Sequence, residues 1–136
     1  MRLTKAVANL IDRERVCRVA TASPQGRPHV VPVCHVFAKG RLYFGSGKKA
    51  GKVRNVEANG QVAVTVDLYT DAWSHLRGVM IQGPARIVRP GPEFRRLRKA
   101  LYAKYPQYER EAALGDRDSV IVEVAADHVF HWGFES

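Results

Sequence analysis

The chain has 136 residues, of which 22 are Lys or Arg and 13 are Asp or Glu, so it carries a formal net charge of +9 at pH 7 and attracts anions. Its hydrophobic share of 46% and its charged share of 26% are ordinary for a globular protein. They exclude a disordered chain, a collagen-like fibre and a coiled coil, and the length fits one domain over residues 1–136.

A short helix is predicted at the start of the chain. Thr4 is a suitable N-cap, because its side-chain oxygen can accept a hydrogen bond from the first helical turn. Apolar residues then recur at helical spacing on one side: Leu3, Val7, Leu10 and Ile11. The charged run 13–15 ends this helix.

Antiparallel strands joined by tight turns follow the helix. Segment 16–21 and the Val-rich segment 29–37 predict one strand each, and segment 23–26 between them has Pro and Gly in turn-forming positions. Segment 41–45 predicts a third, short strand. The result is a meander of antiparallel hairpins.

The two cysteines of the chain lie on the first two strands. If Ser23 pairs with Pro28 across the turn, Cys17 lies directly opposite Cys34, with Cα atoms about 4.5–5.5 Å apart. Two buried thiols that act as small apolar side chains and a redox pair both fit that register. Two cysteines are too few for a disulfide framework, so we expect a reducing, cytoplasmic setting.

Segment 46–51 is rich in glycine and lysine and precedes a short helix predicted over 52–58. A strand, a flexible loop and a helix start, in that order, favour phosphate binding, because the first turn of a helix has free N–H groups and partial positive charge. The P-loop pattern is incomplete, since Ser46 and Val53 occupy its glycine and Ser/Thr positions. A solvated basic turn is the alternative interpretation of this segment.

The second half of the sequence predicts further strands and one long helix. They are a half-buried strand over 61–68, a long strand over 77–88, an amphipathic helix that opens at 91–93 and ends at Pro106, and a strand over 119–124 that can continue towards Trp132. Gly83-Pro84 inside the long strand indicates a bulge or a sharp bend.

About six strands and two or three helices are predicted, and the strands come as hairpins rather than as strand–helix–strand units. This order favours a mostly β fold, in which an antiparallel sheet closes into a small barrel with the helices packed outside. Closure would remove the exposed edges that such Val-rich strands otherwise present.

Several short motifs follow one another in a characteristic order. They are Ala20-Thr21, Gly26-Arg27-Pro28-His29-Val30-Val31-Pro32-Val33, Gly40-Arg41-Leu42-Tyr43-Phe44, Lys52-Val53-Arg54-Asn55-Val56, Asn59-Gly60-Gln61-Val62-Ala63-Val64 and Arg77-Gly78-Val79-Met80-Ile81-Gln82-Gly83-Pro84-Ala85-Arg86. In this order and spacing, residues 16–132 resemble the pyridoxamine 5′-phosphate oxidase-like, FMN-binding split-barrel family. The resemblance implies a six-stranded antiparallel split β-barrel with two or three flanking helices.

The resemblance also implies a flavin-dependent oxidoreductase, with FMN in a groove at a homodimer interface. The strand matched by residues 29–34 would lie along the flavin ring and the ribityl chain, Lys52 would hold the phosphate, and Trp132 would reach the flavin. Ser46 and Lys49 adjoin Lys52 in sequence. The expected cofactor-binding residues are therefore His29, Val30, Val31, Pro32, Val33, Cys34, Ser46, Lys49, Lys52 and Trp132.

The chain departs from the oxidase proper in ways that argue against pyridoxamine phosphate as the substrate. His29 and Cys34 stand where the oxidase has Arg and Lys, Gly51 replaces an Arg, and the Arg-rich substrate segment near the C-terminus has no clear counterpart. The closer likeness is to short, single-domain relatives, which use either FMN or the deazaflavin coenzyme F-420, an anion with a polyglutamate tail. A non-catalytic flavin- or anion-binding module is the alternative from another class. No catalytic residue is predicted, and the small-molecule substrate stays open.

The remaining features favour structural roles. His128 and His131 fall on opposite faces of a strand, and the sequence predicts no metal site. The basic residues of the helix over 94–105 fit a solvated face better than a nucleic-acid surface.

Trp73 and His75 either line a substrate pocket or pack within their loop. Neither a signal peptide nor the roughly 18 apolar residues of a membrane span are present.

Overall fold

The computed structural model describes residues 2–135, within which the chain forms eight strands and four α-helices. In chain order these are α1 (Lys5–Arg13), β1 (Cys17–Ala22), β2 (Pro28–Val33), β3 (His35–Ala38), β4 (Arg41–Gly47), α2 (Gly51–Ala58), β5 (Gln61–Leu68), β6 (Arg77–Val88), α3 (Pro92–Lys104), α4 (Tyr108–Glu111), β7 (Ser119–Ala125) and β8 (His128–Trp132). One turn of 3₁₀ helix, Trp73–His75, lies between β5 and β6. None of the helices within 2–135 is long and apolar enough to cross a membrane.

The strands form one curled antiparallel sheet in the order β2–β1–β5–β6–β7–β4–β3, and β8 also pairs with β6. The long strand β6 joins the two halves, because residues 77–84 pair with β5 and residues 85–88 pair with β7. The predicted mostly β, antiparallel split-barrel architecture is confirmed, with eight strands instead of six. The ladder is not closed over the described residues, since β2 and β3 lie at its two ends.

The bulge or bend predicted inside β6 at Gly83-Pro84 corresponds to a bulge in the facing chain. Gln82 pairs with His128 and Ala85 pairs with Val124, so the three residues 125–127 face the two residues 83–84 of β6. A Cβ built on Gly83 would collide with the carbonyl oxygen of Ala125, which leaves room only for glycine. The last predicted strand is therefore two strands, separated by this bulge.

The β1–β2 hairpin turns through five residues, 23–27, with Gly26 at φ +82°. This loop is one residue longer than predicted, so Cys17 faces Val33, and the predicted direct opposition of Cys17 and Cys34 is wrong. Both thiols are free, with Cys17 buried and Cys34 exposed. Burial raises the pKa of Cys17 to about 12, so this thiol stays protonated and unreactive near neutral pH.

The predicted strand over 29–37 is likewise two strands, separated by Cys34. His35 begins β3 and is completely buried. Its Nε2 lies 2.7 Å from the carbonyl oxygen of Ile11 in α1, and its backbone N–H donates to the hydroxyl of Tyr105 at 2.8 Å. These bonds hold β3 against the helices while β2 stays paired with β1, so the chain changes direction at Cys34.

The core lies inside the curl of the sheet and is closed by α1. Thr4 caps α1 by accepting a hydrogen bond from the Val7 N–H at 3.3 Å, as predicted. Under α3 a second apolar cluster is formed around Phe94, Leu97 and Leu101. The two clusters hold the edge strand β2 and the start of α2 on a rigid base.

Candidate functional site

A groove of about 510 Å³ opens between the end of β2, the start of α2 and the segment that joins α3 to α4. It is lined by Val16, Pro32, Val33, Cys34, Gly45, Lys52, Tyr105, Gln107, Tyr108, Glu111 and Ala112. Its volume lies within the roughly 300–1,000 Å³ of small-molecule sites. Four of the expected cofactor-binding residues, Pro32, Val33, Cys34 and Lys52, meet here.

Lys52 stands in the first turn of α2, and the N-cap residue Ala50 makes no side-chain hydrogen bond to that turn. The N–H groups of Gly51 and Lys52 therefore have no acceptor within the helix. Lys52 is half-buried, and this burial lowers the pKa of its ammonium group. Within residues 2–135 no carboxylate pairs with it. This combination fits an anion such as phosphate.

His29 of β2 lies beside the same helix start. A Cβ built on Gly51 would be 3.8 Å from Nε2 of His29, and Nδ1 of His29 is buried with no hydrogen-bond partner in the described part of the chain. His29 pairs with Thr21 in the β1–β2 ladder, and the amide of Asn55 donates to the Thr21 hydroxyl at 2.9 Å. This bond joins α2 to the hairpin and fixes the helix start near His29.

Strand β2 offers backbone groups as well as side chains. It is the first strand of the sheet, so its outer edge has no strand partner among residues 2–135. Val31 and Val33 point inward with the β1 core residues, whereas Val30 and Pro32 point outward, and Val30 is 65% exposed. The free N–H and C=O groups of such an edge are available to a ligand.

Six of the ten expected residues do not line the groove: His29, Val30 and Val31, which lie on β2 as described above, and Ser46, Lys49 and Trp132. Ser46 is buried, and its hydroxyl donates to the neighbouring carbonyl of Gly47 at 3.0 Å. Lys49 is exposed and lines a separate, basic cleft. Trp132 belongs to β8, four strand positions away from β2 in the sheet, so one chain does not bring it to its own groove.

Two tyrosines that were not predicted as site residues form the wall of the groove opposite β2. The hydroxyl of Tyr105 accepts from the His35 N–H and lies 2.7 Å from the His35 carbonyl oxygen. Burial raises the pKa of Tyr105 and of Tyr108 to about 12, so both are neutral phenols near neutral pH. The short helix α4, four residues long, carries Tyr108 and is too short to produce a helical pattern in the sequence.

Outside the groove, one side of the sheet carries apolar and small side chains with no covering element in the described chain. We call it the outer face. The ladder registers place on it the apolar or small residues Ala20, Val30, Pro32, Ala63, Thr65, Met80, Phe130 and Trp132, together with the polar residues Arg18, Asp67, Gln82 and His128. Phe130 is 52% exposed, and its ring centroid lies 6.1 Å from that of Trp132. Exposed apolar patches of this kind mark interaction sites.

No group of three His, Cys, Asp or Glu side chains is placed to hold a metal ion in the part of the chain that the structure describes.

The positive charge of helix α3 is partly neutralised by acidic neighbours. Arg98 contacts Asp116 at 2.8 Å, and Arg95 lies 3.8 Å from the same carboxylate.

The model of the pyridoxamine 5′-phosphate oxidase family matches residues 3–133. No curated protein sequence matches the chain. Solved structures share the fold. The heme storage protein HutZ of Vibrio cholerae is 17% identical, with 96% of this chain and 94% of that chain covered and a TM-score of 0.79. An FAD-binding protein of Mesorhizobium loti is 20% identical, with 93% and 91% covered and a TM-score of 0.77. An F420 reductase is 26% identical, with 93% and 98% covered and a TM-score of 0.75.

Proposed function

Because the chain belongs to the pyridoxamine 5′-phosphate oxidase family, we propose that it is a flavin-dependent oxidoreductase that binds FMN in the groove at Lys52 and acts as a homodimer. Hydride would pass between the flavin and a small substrate, in a cytoplasmic protein whose two thiols are free. One observation carries the proposal: an ammonium group without a carboxylate partner stands at an uncapped helix start that opens on a ligand-sized groove.

The residues around the start of α2 fit the flavin phosphate. The N–H groups of Gly51 and Lys52 have no acceptor within the helix, and the charge of a dianion there would raise the pKa of Lys52, which desolvation lowers. His29 lies beside this helix start, where its Nε2 is 3.8 Å from a Cβ built on Gly51. These three residues would hold the phosphate together.

The end of β2 fits the flat ring system. Its outer edge offers unpaired backbone groups, and Pro32 and Val33 offer apolar surface. When bound, the flavin supplies the hydride chemistry, while the protein binds, orients and tunes it. Tyr108 stays protonated near neutral pH, so its hydroxyl can donate a hydrogen bond in the groove but cannot act as a base there.

The proposed homodimer would account for the exposed apolar side chains of the outer face. Pro32 belongs both to this face and to the groove, so the groove opens at the border of the face. A second copy seated on the outer face would close the groove against water. The partner would also bring its own Trp132 and Phe130 close to the site, which a single chain does not do.

We expect the wild-type protein to have twice its chain mass of 15.2 kDa in light scattering, and Phe130→Glu to be monomeric, because a carboxylate in an apolar interface is costly. The matched control is Ala100→Glu, since Ala100 is exposed on α3, which packs against β3, β4 and β7. A monomeric wild type would contradict the homodimer, and so would a control that dissociates as readily as Phe130→Glu.

For the cofactor, we expect purified protein to be yellow and to release a compound with the mass of FMN. Lys52→Ala should weaken FMN binding at least tenfold, because it removes the one ammonium group that lines the groove among residues 2–135. Lys49→Ala removes the same charge three residues away, outside the groove, and should change FMN affinity less than twofold. If the two substitutions weaken FMN binding equally, Lys52 does not have the role proposed for it.

The deazaflavin coenzyme F-420 is the second candidate cofactor, favoured by the similarity to an F420 reductase at 26% identity. If the purified protein is colourless and binds F-420 but not FMN, the cofactor is F-420. Stopped-flow measurement of the bound cofactor with a reductant and an acceptor separates an oxidoreductase from a non-catalytic binding module, in which the cofactor would not turn over.

A further inference from the structure

A basic cleft of about 430 Å³ borders the start of α2 and is lined by Gly47, Lys48, Lys49, Ala50, Arg117 and Asp118. We propose that this basic cleft is a second anion subsite, which binds a further phosphate or carboxylate group of a ligand longer than FMN. This inference rests on the proposed function, because it places the first phosphate of that ligand at Lys52.

The charges of the basic cleft are left free for a ligand. Three cations face one carboxylate, and Lys48, Lys49 and Arg117 form no ion pair within residues 2–135. Asp118 instead accepts a hydrogen bond from the Ser119 hydroxyl at 3.2 Å. By contrast, arginines elsewhere on the surface have acidic partners: Arg13, Arg18, Arg41, Arg86, Arg89, Arg95 and Arg98. Other cations without an ion pair in the described chain, such as Lys5, Arg96 and Lys99, are spread over the surface, whereas Lys48, Lys49 and Arg117 line one cleft.

The backbone of the basic cleft is held in place by hydrogen bonds. The N–H of Lys48 donates to the carbonyl of Asp118 at 2.8 Å, and the N–H of Ala50 donates to the carbonyl of Gly47 at 3.1 Å. Gly47 is also the last residue of β4 and pairs with Ser119 of β7. The cations are therefore carried by a turn fixed to the sheet rather than by a free loop.

The basic cleft adjoins the Lys52 groove at the start of α2. Ala50 is the N-cap of α2 and Lys52 lies in its first turn, so both sites use the same helix start. A smaller cleft of about 390 Å³ shares Gly45 and Tyr108 with the groove and shares Gly47 and Asp118 with the basic cleft. A ligand with one phosphate at Lys52 can therefore extend towards Arg117.

Two chemical classes of ligand supply a second anionic group at such a position: a dinucleotide, through its diphosphate, and a cofactor with a chain of carboxylates. FMN has a single phosphate and would leave the basic cleft unused. The further inference therefore predicts that loss of the three cations affects long ligands and spares FMN.

The test measures dissociation constants for FMN, FAD and F-420 with an oligoglutamate tail by fluorescence titration. The triple variant Lys48→Ala/Lys49→Ala/Arg117→Ala removes the cations of the basic cleft. Its matched control, Lys5→Ala/Arg96→Ala/Lys99→Ala, removes three exposed cations of α1 and α3 that likewise have no ion pair in the described chain. We expect about tenfold weaker binding of at least one long ligand to the triple variant, with less than twofold change for FMN and for the control.

Equal weakening of FMN and of both long ligands would overturn the second subsite, since the cations would then serve the first phosphate. Unchanged affinity for both long ligands would overturn it as well. If the wild type binds none of the three ligands, the proposed function is wrong. Changes in amide NMR shifts on addition of pyrophosphate then test separately whether the basic cleft binds an anion. Shifts at residues 47–50 and 117 that the triple variant lacks would support it, and their absence would overturn it.

Discussion

A buried histidine should make the protein sensitive to mild acid. His35 is completely buried, and its Nε2 lies 2.7 Å from the carbonyl oxygen of Ile11, so this nitrogen carries the proton of the neutral ring. Burial lowers the pKa of His35 to about 4; the nearby ammonium of Lys104 acts in the same direction, and the Ile11 carbonyl and Asp12 oppose it. In the unfolded chain the pKa of a histidine is about 6.5.

The sign of the effect follows from these two pKa values. Between about pH 6.5 and pH 4 the unfolded chain binds a proton that the folded chain does not, so stability falls as the pH is lowered. For this one group the loss of unfolding free energy between pH 7.5 and pH 4.5 is about 2.5 kcal/mol. Most of it accrues below pH 6.

Urea denaturation at pH 7.5, 6.0 and 4.5 measures this loss, and His35→Gln is the comparison because its side-chain amide still offers an N–H to Ile11 but does not titrate. We expect the wild type to lose about 2.5 kcal/mol more than the variant over this range, on top of what other groups contribute to both. Parallel pH profiles for the two proteins would refute the reasoning, since the acid sensitivity would then come from groups other than His35.

Two substitutions test contacts that position the site. Gly83→Ala should lower the unfolding free energy by about 2–3 kcal/mol, because the new methyl group collides with the carbonyl of Ala125 in the bulge opposite β6. Tyr105→Phe should cost about 1–3 kcal/mol, because it leaves the N–H of His35 without an acceptor and removes the bond to the Arg15 carbonyl at 2.9 Å. Both are measured by urea denaturation at pH 7.5.

The controls for these two substitutions are chosen at open positions. No atom lies within 4 Å of a Cβ built on Gly47, so Gly47→Ala should change stability by less than about 0.5 kcal/mol. Tyr69 is 63% exposed, and Tyr69→Phe should be equally neutral. If either control destabilises as much as its partner, the named contact is not the cause.

Regular patterns in the sequence predicted the strands whose environment is uniform. Alternation over 61–68 and 77–88 gave the bounds of β5 and β6 to the residue, because each has one face on the core along its length. Where contacts between residues far apart in the chain determine the end of a strand, the predicted bounds differed from the structure. The break at Cys34 depends on bonds from His35 to α1 and α3, which no local pattern encodes.

The residues of the candidate site were likewise predicted only in part. The family resemblance implied Lys52, Pro32, Val33 and Cys34 as cofactor-binding residues, and the structure places these four in one groove. Lys49 lies outside, since the turn before α2 directs it to the basic cleft. Arg117 and Tyr108 come from segments more than 50 residues further along the chain, so only the β4–β7 pairing brings them near α2.

The edge strand β2 has a consequence for aggregation. An unpaired, Val-rich strand is a template on which other chains can add without limit. Pro28 and Pro32 interrupt this template, because neither residue has an N–H to give to an incoming strand. The edge can therefore bind a ligand or border a closed dimer, while the open-ended strand addition that leads to fibrils meets two gaps in its hydrogen bonding.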